Sequence, residues 1–307
     1  MSRDREERPA TGADGGQPAQ AAGSAWVPRE QPQLLPTAGG GEPFNAISRC
    51  RYGLMIYNRH DLYVGRSLAA YGEFAELEID LFRQIVRPGQ TVVDVGANVG
   101  THTLWLAQAV GPTGLVYAFE PQRIVFQMLC ANLALNGILN VRAYQAALGA
   151  HAGSITVPPL DYQRPNNFGG VSLDSRGAGE AVPLLTVDGL GLQACHLLKI
   201  DVEGMESEVL AGAEQTIRRL RPVLYVENDR EEKSAELIAR LQALDYRLWW
   251  HLPPLYNPNN FLGNPTDIFP RILSVNMLCL PREVQANLTG FSEIKRPDAN
   301  WRQPEAG

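Results

Sequence analysis

The sequence predicts an α/β protein: a doubly wound, seven-stranded, mostly parallel sheet, preceded by a small β-hairpin and helix extension. Three observations lead to this prediction. The apolar strand Thr91–Val95 runs into a glycine-spaced turn and then into a helical segment, 101–110. Two further apolar segments, 115–119 and 197–200, also end in acidic residues, and amphipathic helical patterns lie between them. Apolar strands that alternate with helices are typical of parallel sheets covered on both faces.

Length and composition limit the class of protein. The 307 residues are enough for one large α/β domain with a substantial core. A net charge of −6 gives no broad basic surface for nucleic acid or anionic lipid, so we expect neither as a partner. The sequence has no run of about 18 apolar residues and no N-terminal apolar signal segment, so we expect a cytoplasmic protein without a membrane span. The four cysteines are widely spaced, which favours free thiols over a zinc site or disulfides.

Composition divides the chain into four parts. Residues 1–43 are rich in Pro, Gly, Ala, Gln and charge, and we expect a disordered tail there. Residues 44–88 are expected to form the N-terminal hairpin and helix, packed on the core. Residues 89–281 carry the α/β pattern, and the polar residues 282–307 are expected to form a loose tail.

The N-terminal extension is predicted from its apolar spacing. Two segments, 51–57 and 62–64, flank the polar residues 58–61 and indicate a hairpin. A single helix is expected to open within 71–78 and to end before the Pro-Gly pair at 88–89. This helix would place Tyr71 and Glu73 near the mouth of a ligand site.

The glycine turn after the first strand indicates the kind of ligand. Its pattern is D-x-G-x-N-x-G, formed by Asp94, Gly96, Asn98 and Gly100. A dinucleotide fingerprint, G-x-G-x-x-G, would need glycine at Asn98 and at Thr101. The glycines allow close approach of a ligand, and the helix start presents free N–H groups. The pattern resembles the first motif of class I S-adenosylmethionine (SAM) methyltransferases.

The second and third strands would complete a nucleoside site. The second strand ends at Glu120, 20 residues after Gly100, where a carboxylate can accept both hydroxyls of a ribose. Pro121 follows and begins the next helix. The third strand, 140–145, leads into small side chains beginning at Ala146, which leave room for an adenine ring.

Charged residues also follow the fourth and fifth predicted strands. Lys199 and Asp201 share one face of the fourth strand, and a buried lysine needs an acidic partner. Open α/β sheets place their chemistry at the carboxyl ends of the strands. The polar residues that meet at this edge are therefore the candidate catalytic residues: Asp201, Glu203, Glu227 and Asn228.

The remaining pattern completes the sheet. Helices are expected at 205–220 and 234–244, and an antiparallel pair of strands at 246–251 and 274–280. The loops 160–180 and 252–271 are expected to shape the acceptor pocket. Their aromatic residues are the predicted walls: Tyr162, Phe168, Tyr256 and Phe261.

Four segments together resemble the FkbM family of SAM-dependent methyltransferases. They are DVGANVG at 94–100, AFEP at 118–121, LKIDVEG at 198–204 and VEN at 226–228, and the resemblance covers about residues 50–281. It implies a class I methyltransferase domain, SAM as cofactor, and O-methylation of a hydroxyl on a sugar, polyketide or similar metabolite. The residues predicted to bind the cofactor are Tyr71, Glu73, Asp94, Gly96, Asn98, Gly100, Glu120, Pro121, Ala146 and Asp201.

The sequence leaves more than one mechanism of proton removal open. Methyl transfer to oxygen is an in-line displacement that needs alignment and either a base or a metal ion to release the hydroxyl proton. Asp201 with Glu227 and Asn228 resembles the Mg²⁺ arrangement of catechol-type O-methyltransferases, but a metal-free base is favoured and no metal ligand is assigned. His102 and His251 are alternative bases.

Three other classes of protein compete with this interpretation. They are a non-catalytic SAM-binding module, a nicotinamide-dependent oxidoreductase, and a methyltransferase acting on RNA or protein. The acidic charge disfavours RNA. The identity of the acceptor and the oligomeric state do not follow from the sequence.

Overall fold

The computed structural model describes residues 31–38, 41–173, 177–286 and 288–302. The tail predicted for 1–43 therefore lies mostly outside the described residues. Within it, Gln33–Leu35 forms a strand, β1, that pairs antiparallel with Asn45–Cys50, β2. The prediction of a disordered tail is wrong at these three residues.

The N-terminal extension is built differently from the prediction. β2 pairs with β3, Gly53–Asn58, and the hairpin turns at residues 51–52, so the predicted turn at 58–61 is wrong. Asp61 accepts a hydrogen bond from the N–H of Tyr63 at 2.9 Å and directs the chain into a helix instead.

Two helices follow where the sequence predicted one. They are α1, Val64–Tyr71, and α2, Glu76–Ile85. Gly72 separates them with a φ of 67°, the left-handed conformation in which helices commonly end.

The main sheet has eight strands rather than seven. Its order is β14-β12-β13-β11-β10-β4-β5-β6, and the five strands from β6 to β11 run parallel. In chain order, the strands from the fourth onward are β4 Thr91–Val95, β5 Leu115–Phe119, β6 Val141–Tyr144, β7 Ala147–Leu148, β8 Gly153–Val157, β9 Glu180–Leu185, β10 Leu197–Ile200, β11 Val223–Glu227, β12 Tyr246–His251, β13 Asn276–Pro281 and β14 Ser292–Ile294. The prediction of a doubly wound α/β sheet is confirmed, and only the strand count is corrected.

The eighth strand comes from the segment predicted to be a loose tail. β14 pairs antiparallel with β12, and Ile294 is 3% exposed within the apolar core. An ion pair with 2.9 Å between Arg247 Nε and Glu293 Oε1 joins the same two strands. The single buried isoleucine and this charge pair hold the segment at the sheet edge.

Helices cover both faces of the sheet. They are α3 Thr101–Val110, α4 Arg123–Leu135, α5 Glu206–Ala211, α6 Glu214–Leu220 and α7 Glu231–Ala243. The helix predicted over 205–220 is two helices, because the chain at Gly212 approaches the backbone carbonyl of Gly149 so closely that a Cβ atom would overlap it. Across the described ranges, none of the helices combines the length and apolarity needed to cross a bilayer.

The strand order fixes the position of the site. β4 leads outward to β5 and β6 on one side, and the chain then returns to place β10 and β11 on the other. The crevice at the carboxyl ends of β4 and β10 is therefore the switch point at which doubly wound sheets bind ligands. The smaller sheet β7-β9-β8 lies outside this array, and the sequence did not predict β9.

Candidate functional site

A cavity of about 400 Å³ opens at the carboxyl edge of β4, β5, β10 and β11. The structure brings most of the predicted residues to its wall, namely Gly96, Asn98, Glu120, Pro121, Ala146, Asp201, Glu203 and Glu227. It does not bring the remaining five there, which are Tyr71, Glu73, Asp94, Gly100 and Asn228.

The glycine turn is shaped by its neighbours. Gly96 has a φ of 80°, and a Cβ atom there would overlap the backbone carbonyl of Asp201. The N–H groups of Gly96 and Ala97 donate to the carbonyl of Phe119 at 3.0 and 2.9 Å. The turn is thus held between β5 and the end of β10, with its backbone against the cavity.

Glu120 is a buried carboxylate held by two backbone donors. Its Oε2 accepts from Asn98 N at 3.0 Å and its Oε1 from Gln122 N at 2.8 Å. The side chain is 4% exposed, and burial raises its pKa to about 7. Each carboxylate oxygen keeps a free lone pair, so the group can accept two further hydrogen bonds from a diol.

Asp94 and Lys199 form a buried ion pair behind the glycine turn. Lys199 Nζ lies 3.2 Å from Asp94 Oδ1 and 3.4 Å from Asp201 Oδ2, and it donates to the carbonyl of Gly96 at 3.3 Å. Burial alone would lower the pKa of Lys199, but these two carboxylates outweigh it and raise the pKa. Asp94 also accepts from Thr103 Oγ1 at 2.7 Å. Its side chain thus holds the turn from behind and does not line the cavity.

Three carboxylates meet at the ends of β10 and β11. One oxygen each of Asp201, Glu203 and Glu227 lies within 4.8 Å of the others. Burial, together with the neighbouring acids, raises the pKa values of Glu203 and Glu227. Arg230 Nη2 lies 2.6 Å from Glu203 Oε2 and offsets part of the charge. Such a group of oxygens can share protons or bind a hard cation such as Mg²⁺.

Glu78 and His102 form a second polar group on the cavity wall. The sequence proposed His102 as an alternative base but did not single out Glu78. Glu78 Oε2 lies 3.4 Å from His102 Nε2, and Asn276 Nδ2 donates to Glu78 Oε1 at 3.2 Å. Glu78 lies at helical spacing from the buried residues Leu81 and Phe82. A carboxylate on the apolar face of a predicted helix was the signal that could have found it.

Tyr71 and Glu73 hold a loop instead of facing the cavity. The Tyr71 hydroxyl donates to Thr266 O at 2.9 Å and accepts from Ile268 N at 2.7 Å. Glu73 accepts from Asn257 Nδ2 at 2.8 Å and from Phe261 N at 2.7 Å. Both side chains therefore fix the loop 252–271 and do not line the cavity where the sequence predicts cofactor ligands.

Three other candidates have structural contacts. Asn228 Nδ2 donates to Ser234 Oγ at 3.0 Å within α7. Gly100 begins α3 with a φ of 90°, and a Cβ there would press on Leu129 of α4. His251 Nδ1 and the Tyr225 hydroxyl form a hydrogen bond of 2.8 Å, and His251 does not line the cavity.

None of the four aromatic residues predicted as walls lines the cavity, and Phe261 is exposed to solvent. Tyr162 and Phe168 stack with ring centroids 4.8 Å apart, and Gln122 bonds to both residues. The apolar surface of the cavity comes from other residues, including Tyr63, Phe74, Leu255, Ile272 and Leu273. Residues 174–176 of the predicted loop 160–180 are outside the described residues.

The sequence of the chain also matches the model of a known protein family. Residues 94–248 match the family model described as the methyltransferase FkbM domain, which is half of the chain. The chain belongs to the FkbM methyltransferase family. The family predicted from the four motifs is confirmed.

Individual relatives and a solved structure that the chain resembles are also named as methyltransferases. The chain is 31% identical to methyltransferase sdnD of Sordaria araneosa over 160 residues, covering 40% of this chain and 60% of that protein. It is 28% identical to 31-O-demethyl-FK506 methyltransferase FkbM of Streptomyces tacrolimicus over 206 residues, covering 56% and 78% of the two chains. The structure of methyltransferase FkbM from Methylobacillus flagellatus is 15% identical with a TM-score of 0.43, covering 71% of this chain and 55% of that one. The chain thus spans less than two thirds of sdnD.

Proposed function

We propose that this FkbM-family protein transfers the methyl group of SAM to a hydroxyl oxygen of a small molecule such as a sugar or polyketide. The observation that carries the proposal is one continuous cavity, which joins the glycine turn and Glu120 to the carboxylates after β10 and β11. The name of the Streptomyces relative, a methyltransferase of 31-O-demethyl-FK506, supports oxygen as the accepting atom.

The residues present fit SAM. Glu120 has two free lone pairs for the ribose hydroxyls, and the backbone of Gly96–Asn98 can follow the methionine portion. Ala146 and Leu148 offer a small apolar surface for the adenine ring beside Phe119. When bound, SAM supplies a methyl group on a positively charged sulfur, which an oxygen nucleophile can attack in line.

Asp201, Glu203 and Glu227 are the proposed residues at the acceptor end. They line the cavity where strands β10 and β11 end, and one oxygen of each lies within 4.8 Å of the others. We propose metal-free chemistry, because Lys199 and Arg230 already supply cationic partners to Asp201 and Glu203. Mg²⁺ held by the same three carboxylates is the alternative, since all-oxygen ligands suit that ion.

Calorimetric titration tests the cofactor. The purified protein should bind SAM and S-adenosylhomocysteine (SAH) at micromolar concentration and should not bind NADH, with no change on adding Mg²⁺. Binding of NADH alone would overturn the proposal in favour of an oxidoreductase. A requirement for Mg²⁺ would overturn the metal-free form of it.

Methyl transfer tests the activity. The protein is incubated with methyl-labelled SAM and a panel of hydroxyl compounds comprising methyl glycosides, a hydroxylated macrolactone and 4-nitrophenol. Label is expected on oxygen of at least one compound. SAH binding without transfer to any of them would favour a non-catalytic SAM-binding module.

A further inference from the structure

Glu78 and His102 form a buried acid–imidazole pair that the proposed function does not yet use. Glu78 belongs to α2 and His102 to α3, and each residue is 5% exposed and lines the cavity. The 3.4 Å between Glu78 Oε2 and His102 Nε2 is the shortest approach of the pair. Nε2 makes no hydrogen bond to any residue that the structure describes.

The carboxylates of this cavity differ in their cationic partners. Asp201 lies 3.4 Å from Lys199, and Glu203 lies 2.6 Å from Arg230. Among the described residues, Glu78 has no Lys or Arg within ion-pair distance, and its polar contacts are with neutral groups: the His102 imidazole, Asn276, and the hydroxyls of Ser274 and Tyr225. A carboxylate without a cationic partner keeps more affinity for a proton than a paired one does.

Charges around Glu78 come from every element packed against it. Lys199 of β10 and Asp201, which directly follows that strand, act with opposite sign, and Tyr225 lies on β11. Burial is the largest effect and raises the pKa of Glu78 to about 7, while burial lowers the pKa of His102 to about 4. At neutral pH the imidazole is therefore uncharged, and the carboxylate can take up one proton without forming a buried cation.

O-methylation needs such a group. An un-ionised alcohol is a weak nucleophile, and a positioned base with a pKa near the working pH removes its proton most effectively. Glu78 faces the same cavity as the glycine turn and Glu120, so a hydroxyl placed against the methyl group would lie among these carboxylates.

We propose that Glu78 is the general base of methyl transfer and that His102 positions its carboxylate; the inference rests on the proposed O-methyltransferase function. The acceptor oxygen forms a bond to the methyl carbon while the carbon–sulfur bond breaks and its electron pair goes to sulfur. The hydroxyl proton passes to Glu78. The products are a methyl ether, SAH as a neutral thioether, and a protonated Glu78. Glu78 lies outside residues 94–248, so the family match does not assign it.

The test compares Glu78→Gln with Glu76→Gln. Glu76 is an equally buried glutamate on the same helix, but it contacts Tyr52 and Arg83 and does not line the cavity. Each variant is titrated with SAH, and methyl transfer is measured to the aliphatic alcohol of the panel that the wild type methylates fastest. Transfer to 4-nitrophenol, which is largely ionised at about pH 8, provides an acceptor that needs no base.

The proposal predicts a selective loss. Glu78→Gln should bind SAH within about twofold of the wild type and lose about 100-fold or more in transfer to the alcohol, but little in transfer to the phenolate. Glu76→Gln should retain both transfers. Glu78→Asp keeps a carboxylate and should retain part of the alcohol rate, so the test also works if the glutamine variant does not fold.

His102→Asn tests the positioning role. The variant should retain SAH binding and lose less rate than Glu78→Gln, and the pH at which alcohol transfer rises should shift because the imidazole no longer faces the carboxylate. An unchanged pH profile would remove His102 from the proposal.

Other outcomes overturn the proposal. A tenfold or greater loss of SAH affinity in Glu78→Gln would make Glu78 a ligand of the cofactor's ammonium group. Equal losses with alcohol and phenolate would indicate a structural role. A failure of the proposed function itself looks different, because the wild type would then bind no SAH or methylate no compound of the panel.

Discussion

Asp94 and Lys199 are register partners on adjacent parallel strands, with 3.2 Å between Asp94 Oδ1 and Lys199 Nζ at the centre of the sheet. Both residues are almost completely excluded from solvent, at 0% and 1% exposed. A lysine in such a position is tolerated only because carboxylates and the carbonyl of Gly96 surround it. The pair therefore couples the stability of the sheet to the position of the glycine turn.

Replacing Asp94 with Asn should destabilise the fold strongly. Removing one partner of a buried ion pair leaves the other charge less compensated and costs about 3 kcal/mol, at the low end of the usual range because Asp201 remains near Lys199. Urea unfolding measures the change in the free energy of unfolding. Asp80→Asn is the control, since Asp80 is 56% exposed in its pair with Arg83 and should change stability by less than about 0.5 kcal/mol. Equal effects of the two variants would contradict the argument.

Replacing Gly96 with Ala should abolish SAH binding. The residue has a φ of 80°, and the added Cβ would overlap the carbonyl of Asp201, so the turn must move away from the cavity. Gly111→Ala is the matched control, because Gly111 has a φ of 65° but open space around its Cβ position. It should cost about 1–2 kcal/mol of stability and leave SAH affinity unchanged. Calorimetry on both variants checks the difference, and normal SAH binding by Gly96→Ala would exclude this turn from the site.

The affinity for SAH should fall as the pH drops through about 7. Burial raises the pKa of Glu120 to about 7, so the carboxylate is ionised above that pH and takes up a proton below it. Only the ionised form accepts hydrogen bonds from both ribose hydroxyls.

Glu120→Gln should remove this pH dependence and weaken binding about 10-fold or more, because hydrogen bonds to a charged group are worth about 1.5–3 kcal/mol. Titrations with SAH from about pH 6 to about pH 8.5 test both statements. A pH dependence that persists in Glu120→Gln would assign it to another group.

The sequence predicted the parts of the site that depend on local pattern. The strand and helix around Gly96 fall within the predicted bounds, because apolar runs and glycine positions determine them residue by residue. Glu120 was placed by its distance from Gly100 along the chain, and the structure brings it to the cavity wall. The carboxyl ends of parallel strands lie at one edge of the sheet irrespective of their side chains. The position of Glu120 could therefore be predicted without knowledge of tertiary contacts.

Contacts between residues that lie far apart in the chain could not be predicted from local sequence pattern. Tyr71 and Glu73 lie about 20 residues before β4 in the sequence, where they were expected to be near the cofactor. Their hydrogen-bond partners lie almost 200 positions away, in the loop 252–271. The helical spacing of Glu78 indicates only that its side chain is buried, whereas its contacts with His102 of α3 and Asn276 of β13 depend on tertiary packing that the sequence does not reveal. The strand β14 was missed because the apolar residues around 292–294 are spaced irregularly among polar ones, without the alternation that predicts a strand.

Replacing Glu73 with Ala should loosen the loop 252–271 without affecting the cofactor. The carboxylate accepts hydrogen bonds from Asn257 and Phe261 and pairs with Arg51 at 2.6 Å, and the side chain is 3% exposed, so its removal leaves buried donors unpaired. Amide hydrogen exchange should increase in residues 257–264 while SAH affinity stays within about twofold of the wild type. Glu180→Ala, which removes an ion pair of an exposed glutamate with Arg123, should leave the exchange of this loop unchanged. If SAH affinity falls sharply in Glu73→Ala while exchange does not change, Glu73 acts on the cofactor as the sequence alone suggested.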